Sequence, residues 1–287
     1  MDGILIIDKP AGITSHDVVA RARRILKTKR VGHTGTLDPF ATGVMVILVG
    51  KATRLAQFLD KDEKEYEADI RFGFETDTGD LTGSPKSEVQ SSKPVSAEDV
   101  ERVLPQFRGE IMQTPPMYSA KKIDGKKLYE LARKGVEVER KAVSVTITRL
   151  ELVGEGPVRI RVACSAGTYI RTLAEDIGKA IGVGAHLTAL RRIRAGDFHI
   201  DDAMTLEELA ENEPKLLPIG TAVAHLSVFE LREDRVDKTK NGMSTRDLSG
   251  HFSDGETVQM IDGNGELVAI GYFDETEKVV QPKVVLG

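Results

Sequence analysis

The chain has 287 residues, 40% of them hydrophobic and 30% charged, the proportions of a folded globular protein with core enough for one large domain and a small one. No stretch approaches the roughly 18–20 apolar residues of a membrane span, and the single cysteine, Cys164, excludes an internal disulfide and any thiolate-rich metal site. The net charge of −5 argues against a nucleic-acid partner only as a sum, because residues 1–60 carry +4 and residues 111–200 carry +7, against −6 in 61–110 and −10 in 201–287.

The apolar run Gly3 to Asp8 reads as a first strand rather than a signal peptide and ends at the turn Lys9-Pro10-Ala11-Gly12. Thr14-x-x-Asp17 resembles a capping box opening a helix with Val18, Val19, Ala22, Ile25 and Leu26 on one side and Arg21, Arg23, Arg24 and Lys27 on the other. Gly32 to Gly43, with three glycines and a proline in twelve residues, reads as a loop, followed directly by a buried strand over Val44 to Val49. A short helix near Thr53–Leu59, an alternating strand over Lys64 to Gly73 and a helix capped by Ser96-x-x-Asp99 come next. Later elements are a short helix over Lys127–Arg133, strands at Val143–Leu152 and Val158–Cys164 joined through Gly154-Glu155-Gly156-Pro157, and a helix over Thr168–Ala180 stopped by Gly182. Two short helices, the first near Thr205, precede a strand-rich end with Asp262-Gly263-Asn264-Gly265 as a hairpin turn.

Within the glycine-rich segment, Asp38 stands between Leu37 and Pro39, and the proline restricts its backbone to extended conformations. By those cues alone an Asp-Pro turn is the commoner reading. The string GHTGTLDPFATG, however, resembles the signature of the TruB-type pseudouridine synthases, and other blocks follow in that family's order. GILIIDKPAG resembles its opening strand and Lys-Pro motif; Lys64-Glu65-Tyr66 with Thr76-Asp77-Thr78-Gly79-Asp80 its tyrosine motif; and Cys164 to Leu173 its arginine motif. Gly184-Ala185-His186-Leu187 through Leu190-Arg191-Arg192 resembles the segment that follows, so the likeness covers roughly residues 3–200.

The resemblance implies an α+β pseudouridine synthase fold, a large mixed and mainly antiparallel sheet flanked by helices, over residues 1–225, and a small C-terminal β domain of PUA-like type over residues 226–287. It implies a cytoplasmic, stand-alone and monomeric bacterial enzyme that isomerises the uridine at position 55 in the TΨC arm of tRNA by base flipping. Asp38, Tyr66 and Arg171 match the catalytic aspartate, the active-site tyrosine and the arginine that pairs with the aspartate. Lys9, Gly32, His33, Thr34, Tyr169 and Leu190 are expected on the substrate side, His33 at the flipped-out nucleotides and Tyr169 and Leu190 as walls of the uracil pocket. An insertion at about 114–141 resembles the thumb of enzymes that bind tRNA unaided; its Lys121, Lys122, Lys126 and Lys127, interleaved with Tyr118 and Tyr129, suit RNA.

An isomerisation of this kind adds no group and changes no oxidation state, so neither metal nor organic cofactor is expected, nor a guide RNA, an obligate protein partner or a membrane. A carboxylate suits it because an anion steadies an electron-poor sugar carbon. Three other readings compete: an RNA-binding chaperone, a synthase guided to another RNA, and a metal-dependent nuclease around Asp77 and Asp80. The chaperone needs none of the three catalytic residues, the guided relatives lack the thumb, and Asp77 and Asp80 read as a solvated turn.

Overall fold

A computed structural model of the chain describes residues 1–59, 63–86, 94–119, 121–123, 125–154, 158–247 and 250–286, with the Lys127 side chain outside that set. The Glu155-Gly156-Pro157 part of the expected strand connection lies outside the described residues. The strands are β1 (Gly3–Lys9), β2 (Val31–Thr34), β3 (Thr42–Val49), β4 (Lys64–Phe72), β5 (Gly109–Gln113), β6 (Lys122–Ile123), β7 (Lys126–Lys127) and β8 (Val143–Leu152). They continue with β9 (Arg159–Cys164), β10 (Ala185–Ala195), β11 (Phe198–His199), β12 (Ser227–Glu230), β13 (Thr245–Arg246), β14 (Thr257–Ile261), β15 (Leu267–Asp274) and β16 (Val279–Val285). The α-helices are α1 (Ser15–Ile25), α2 (Ala56–Leu59), α3 (Ala97–Val103), α4 (Leu128–Ala132), α5 (Ile170–Ile181), α6 (Leu206–Glu211) and α7 (Glu233–Lys240).

Among the described residues, nine strands form one sheet in the order β1-β3-β10-β4-β9-β8-β5, with β2 also on β3 and β11 on β10. Only β3 and β10 run parallel within it, so the sheet is mixed and mainly antiparallel, as expected. Strands β1 and β3 are buried along most of their length because both faces are covered. One face of the β1–β3 pair packs with α1 and α6 through Leu5, Ile7, Met45 and Ile47; the other packs through Ile4, Ile6, Val44 and Val46 against Ile270 and Val284 of the second sheet. Further along, α3 and α5 cover Tyr66, Ala68, Ile70 and Val162. The second sheet is five-stranded, in the order β12-β14-β15-β16-β13, and has its own core around Phe229, Met260 and Phe273.

The capping boxes at Thr14 and Ser96 form as their sequence spacing predicts, and another forms at Thr205. Other boundaries shift. Gly32 to Thr34 belong to strand β2, where pairing to β3 from Val31↔Val49 to Thr34↔Val46 overrides their loop-like composition, and the loop proper is residues 35–41. The helix expected from Thr168 begins at Ile170, with Tyr169 as its N-cap.

One junction positions the site. β3 offers its second edge to two strands, pairing its beginning with β10 (Thr42↔Arg191, Gly43↔Arg192) and its end with β2. The 35–41 loop springs from the notch between them. Gly43 sits there at φ +102, and a Cβ on it would lie 2.1 Å from the Arg192 carbonyl oxygen. Gly43→Ala is therefore expected to destabilise the protein by roughly 3 kcal/mol or more, seen as a lowered melting temperature, since neither the backbone angle nor the space admits a methyl group. An unchanged melting temperature would mean that the notch tolerates opening.

Candidate active site

Residues 35–41 have no regular structure, yet the loop is pinned along its length. Ser15, the first residue of α1, donates through Oγ to the Leu37 carbonyl at 3.0 Å and accepts from the Leu37 N–H at 2.9 Å. Lys9 is fully buried, and its Nζ donates to the carbonyls of Pro10 (2.9 Å), Pro39 (3.3 Å) and Ala41 (2.7 Å). Arg192, also fully buried, donates through Nη2 to Gly35 O (3.0 Å) and through Nε to Val44 O (2.7 Å). Leu37 and Ala41 are buried on either side, Thr36 and Pro39 are exposed, and the Asp38 side chain between them keeps 34% of its accessible surface.

Arg171 meets Asp38 from α5, 133 residues away in sequence. Its Nε lies 2.9 Å from Asp38 Oδ2, and its Nη2 donates to Oδ1 at 3.3 Å, a side-on, two-point pairing that fixes the carboxylate plane. The guanidinium is itself immobilised, with its side chain only 5% exposed: Nη1 donates to Thr78 O (2.7 Å), Nη2 to Tyr118 O (2.7 Å), and the Asp80 carboxylate lies 3.9 Å from Nη1. Asp80 was expected in a solvated turn. It is buried, held by hydrogen bonds from Thr78 Oγ1 (2.9 Å), Thr82 N (2.9 Å) and Thr82 Oγ1 (2.6 Å), because the turn folds back onto α5 and β10. Among the described residues, no cluster of three or more His, Cys, Asp or Glu side chains is placed to hold a metal ion.

Asp38 and Arg171 lie in the lining of a cleft of about 240 Å³, together with Tyr66, Tyr169, Leu190 and Arg192. Tyr66 and Arg192 are cross-strand neighbours on β4 and β10, and both line the cleft. Burial pushes the phenol pKa upward against the pull of Arg192, which keeps Tyr66 neutral at physiological pH. The Asp38 carboxyl is also pushed above its ordinary value by enclosure, an effect that Arg171 opposes, Asp80 reinforces and Lys9 opposes. Burial lowers Lys9 to about 8, the Asp38 charge pulling the other way. Gln113 sets the remaining wall: its Oε1 accepts from Tyr169 N (2.7 Å) and its Nε2 donates to Tyr169 O (3.1 Å).

The other expected residues divide. Tyr169 and Leu190 are at the cleft. Lys9 is buried behind the loop and supports it from within, presenting no ammonium to a substrate in this structure, and Thr34 is buried at the end of β2 opposite Val46. Gly32 lies in β2 beside Thr53, and His33 in β2 meets His16 of α1 edge-on, ring centroids 5.7 Å apart. Lys122 and Lys126 are exposed on the β6–β7 hairpin, and Lys121 is half-buried just before it, while the Lys127 side chain is outside the described residues. Arg192, Gln113 and Asp80 were missed: no periodicity or charge pattern marks them, and only their burial with polar partners reveals them.

The sequence matches two family profiles: TruB family pseudouridylate synthase (N terminal domain) over residues 23–170, and tRNA pseudouridylate synthase B C-terminal domain over residues 171–218. It is 42% identical to a tRNA pseudouridine synthase B of Bacillus pumilus, covering 100% of this chain and 98% of that one. It is 50% identical to one of Aromatoleum aromaticum over 80% of this chain and 77% of that one. Among solved structures, a chain of an H/ACA RNP bound to a substrate RNA containing 2'-deoxyuridine is 27% identical at a TM-score of 0.74, covering 99% of this chain and 85% of that one.

A folded state that raises the Asp38 pKa holds its proton more tightly than the unfolded chain does, so ionisation of Asp38 withdraws stability as pH rises through its titration. Asp38→Asn lacks that contribution. The melting temperature of the variant minus that of the wild type is expected to grow between about pH 3 and about pH 7. A difference that stays flat or shrinks contradicts the raised carboxyl.

Proposed function

Since this chain belongs to the TruB family of pseudouridylate synthases and is an isomerase acting on tRNA, we propose that it converts the uridine at position 55 of the TΨC arm to pseudouridine. The observation that carries this reading is the two-point Asp38–Arg171 pair in a cleft shared with Tyr66 and Tyr169.

The reaction breaks the bond between N1 and C1′, turns the base and joins C1′ to C5; C5 loses a proton and N1 gains one, so atoms and electrons balance. The target uridine leaves its stack to reach Asp38, and His33, at the β2 side of the loop, is assigned to the displaced nucleotides. Asp38 acts on the ribose at C1′, where its charge steadies the electron-poor carbon as the glycosidic bond opens. Arg171 keeps the carboxylate ionised and aimed. Tyr66 stacks on the uracil, and its hydroxyl assists departure of the C5 proton. Asp80 acts through Arg171, and Lys9 through the loop carbonyls.

We assign residues 1–225 to the catalytic unit and residues 226–287 to a PUA-like accessory domain. The 114–141 insertion is the thumb, its base tied to the site by the Tyr118 carbonyl on Arg171 and its exposed Lys122 and Lys126 facing outward for phosphates. It supplies recognition without a guide RNA, and the enzyme acts as a cytoplasmic monomer.

Asp38→Ala is expected to abolish pseudouridine formation in a tRNA transcript while leaving tRNA affinity within a few-fold, because binding rests mainly on phosphate contacts. Mapping new pseudouridines after incubation with the pure protein checks both position and dependence. Substantial turnover by the variant, or modification only at other positions, would overturn the reading.

A further inference from the structure

A run of cations with no role in the chemistry lies on and just after α1. Between residues 16 and 30 lie Arg21, Arg23, Arg24, Lys27, Lys29 and Arg30 against a single acid, Asp17. Asp17 is committed to its helix cap, where its Oδ2 accepts from Thr14 N (2.8 Å) and Thr14 Oγ1 (2.6 Å). All six cations are exposed, and none forms an ion pair with a described residue. Arg23 is committed in part, donating through Nη2 to Val31 O at 2.8 Å.

One face of the large sheet treats its arginines differently. On the face of the large sheet away from α5, Arg149, Arg159, Arg161, Arg191 and Arg194 all lie within ion-pair distance of a carboxylate from Asp8, Glu63, Glu65, Glu67, Asp69 or Glu151. The helix packed against α1 is α6, whose Glu207, Glu208 and Glu211 form no ion pair with the α1 set, Glu208 being held in its own capping box.

Position adds to charge. The first residue of α1 is fastened by two hydrogen bonds to Leu37, the neighbour of Asp38, and His16 of α1 touches His33 of β2. From there the helix runs about 15 Å away from the cleft at 1.5 Å per residue, carrying its outward cations with it. We propose that the exposed face of α1, continued by Lys27, Lys29 and Arg30, is a docking surface for the phosphate backbone of the tRNA beyond the flipped uridine. This deepens the proposed function and rests on it. Guanidinium and ammonium groups left without carboxylate partners are ready to displace counterions from RNA.

The test is the salt dependence of tRNA binding by Arg21→Ala/Arg24→Ala/Lys27→Ala. Each lost phosphate contact should flatten the slope of log K against log salt by about 0.7–0.9, so a fall of about 2 is expected, with Kd about tenfold weaker at low salt. Arg21→Lys/Arg24→Lys should restore most of the affinity, since the interaction is with charge. An unchanged slope with Kd within twofold of wild type overturns the proposal, as does equal weakening by the lysine variant, which would indicate structural damage. Wild-type protein that binds tRNA in this α1-dependent way but forms no pseudouridine would sink the proposed function and leave this surface standing; the reverse pattern would do the opposite.

Discussion

The contact between the Arg171 guanidinium and the Asp38 carboxylate organises this protein. An exposed ion pair contributes little, but a buried guanidinium must be surrounded by acceptors, and it is a permanent charge that cannot be shed by deprotonation. The chain meets this demand with Thr78 O, Tyr118 O and the Asp80 carboxylate as well as Asp38. Those groups come from the loop after β4, the start of the insertion and the β2–β3 loop. One side chain thus gathers three distant segments, and removing it would leave Asp38 and Asp80 facing each other without compensation.

The rest of the large sheet makes that convergence possible. β3 splits its edge between β10 and β2, opening the notch from which the Asp38 loop emerges, while α5 crosses the β4–β10 region and delivers Arg171 from its first turn. Two fully buried cations, Lys9 and Arg192, then replace regular structure as the loop's support by donating to its carbonyls and to Val44. Such support is rigid, because a buried donor without its acceptor loses its desolvation compensation. The cost appears at Asp38, whose enclosure raises its pKa in the folded state. Stability is given up at one carboxyl so that its charge stands, aimed, in a cleft.

Much of this was legible in the residues. The β1 run, the capping boxes and the glycine-rich string around Asp38 have local causes, and the pairing of Arg171 with Asp38 followed from the family likeness of the blocks carrying them. What stayed hidden was what only long-range pairing creates. Ala185–Ala195 contains His186, Arg191, Arg192 and Arg194, a composition unlike that of a strand next to the centre of a nine-stranded sheet, yet β10 is its longest strand, with those polar groups buried or paired. Gly32 to Thr34 looked like loop and became strand because β3 had a free edge. Lys9 was placed at the substrate and Asp80 in solvent; each is instead turned inward by partners that are remote in sequence, Pro39 and Ala41 for Lys9 and Arg171 for Asp80. Charge alone does not reveal whether a side chain looks out at RNA or in at a carbonyl.

The most direct measurement is the single-turnover rate of Arg171→Lys on saturating tRNA. Lysine keeps the positive charge but offers a point charge in place of the planar fork, so it can neither grip both Asp38 oxygens nor reach Thr78 and Tyr118 together. If orientation of the carboxylate is what the fold is built to provide, the rate falls by about a hundredfold or more. A variant that turns over at close to the wild-type rate would show that Asp38 needs no such grip, and the Asp38–Arg171 pair would lose its place at the centre of this structure.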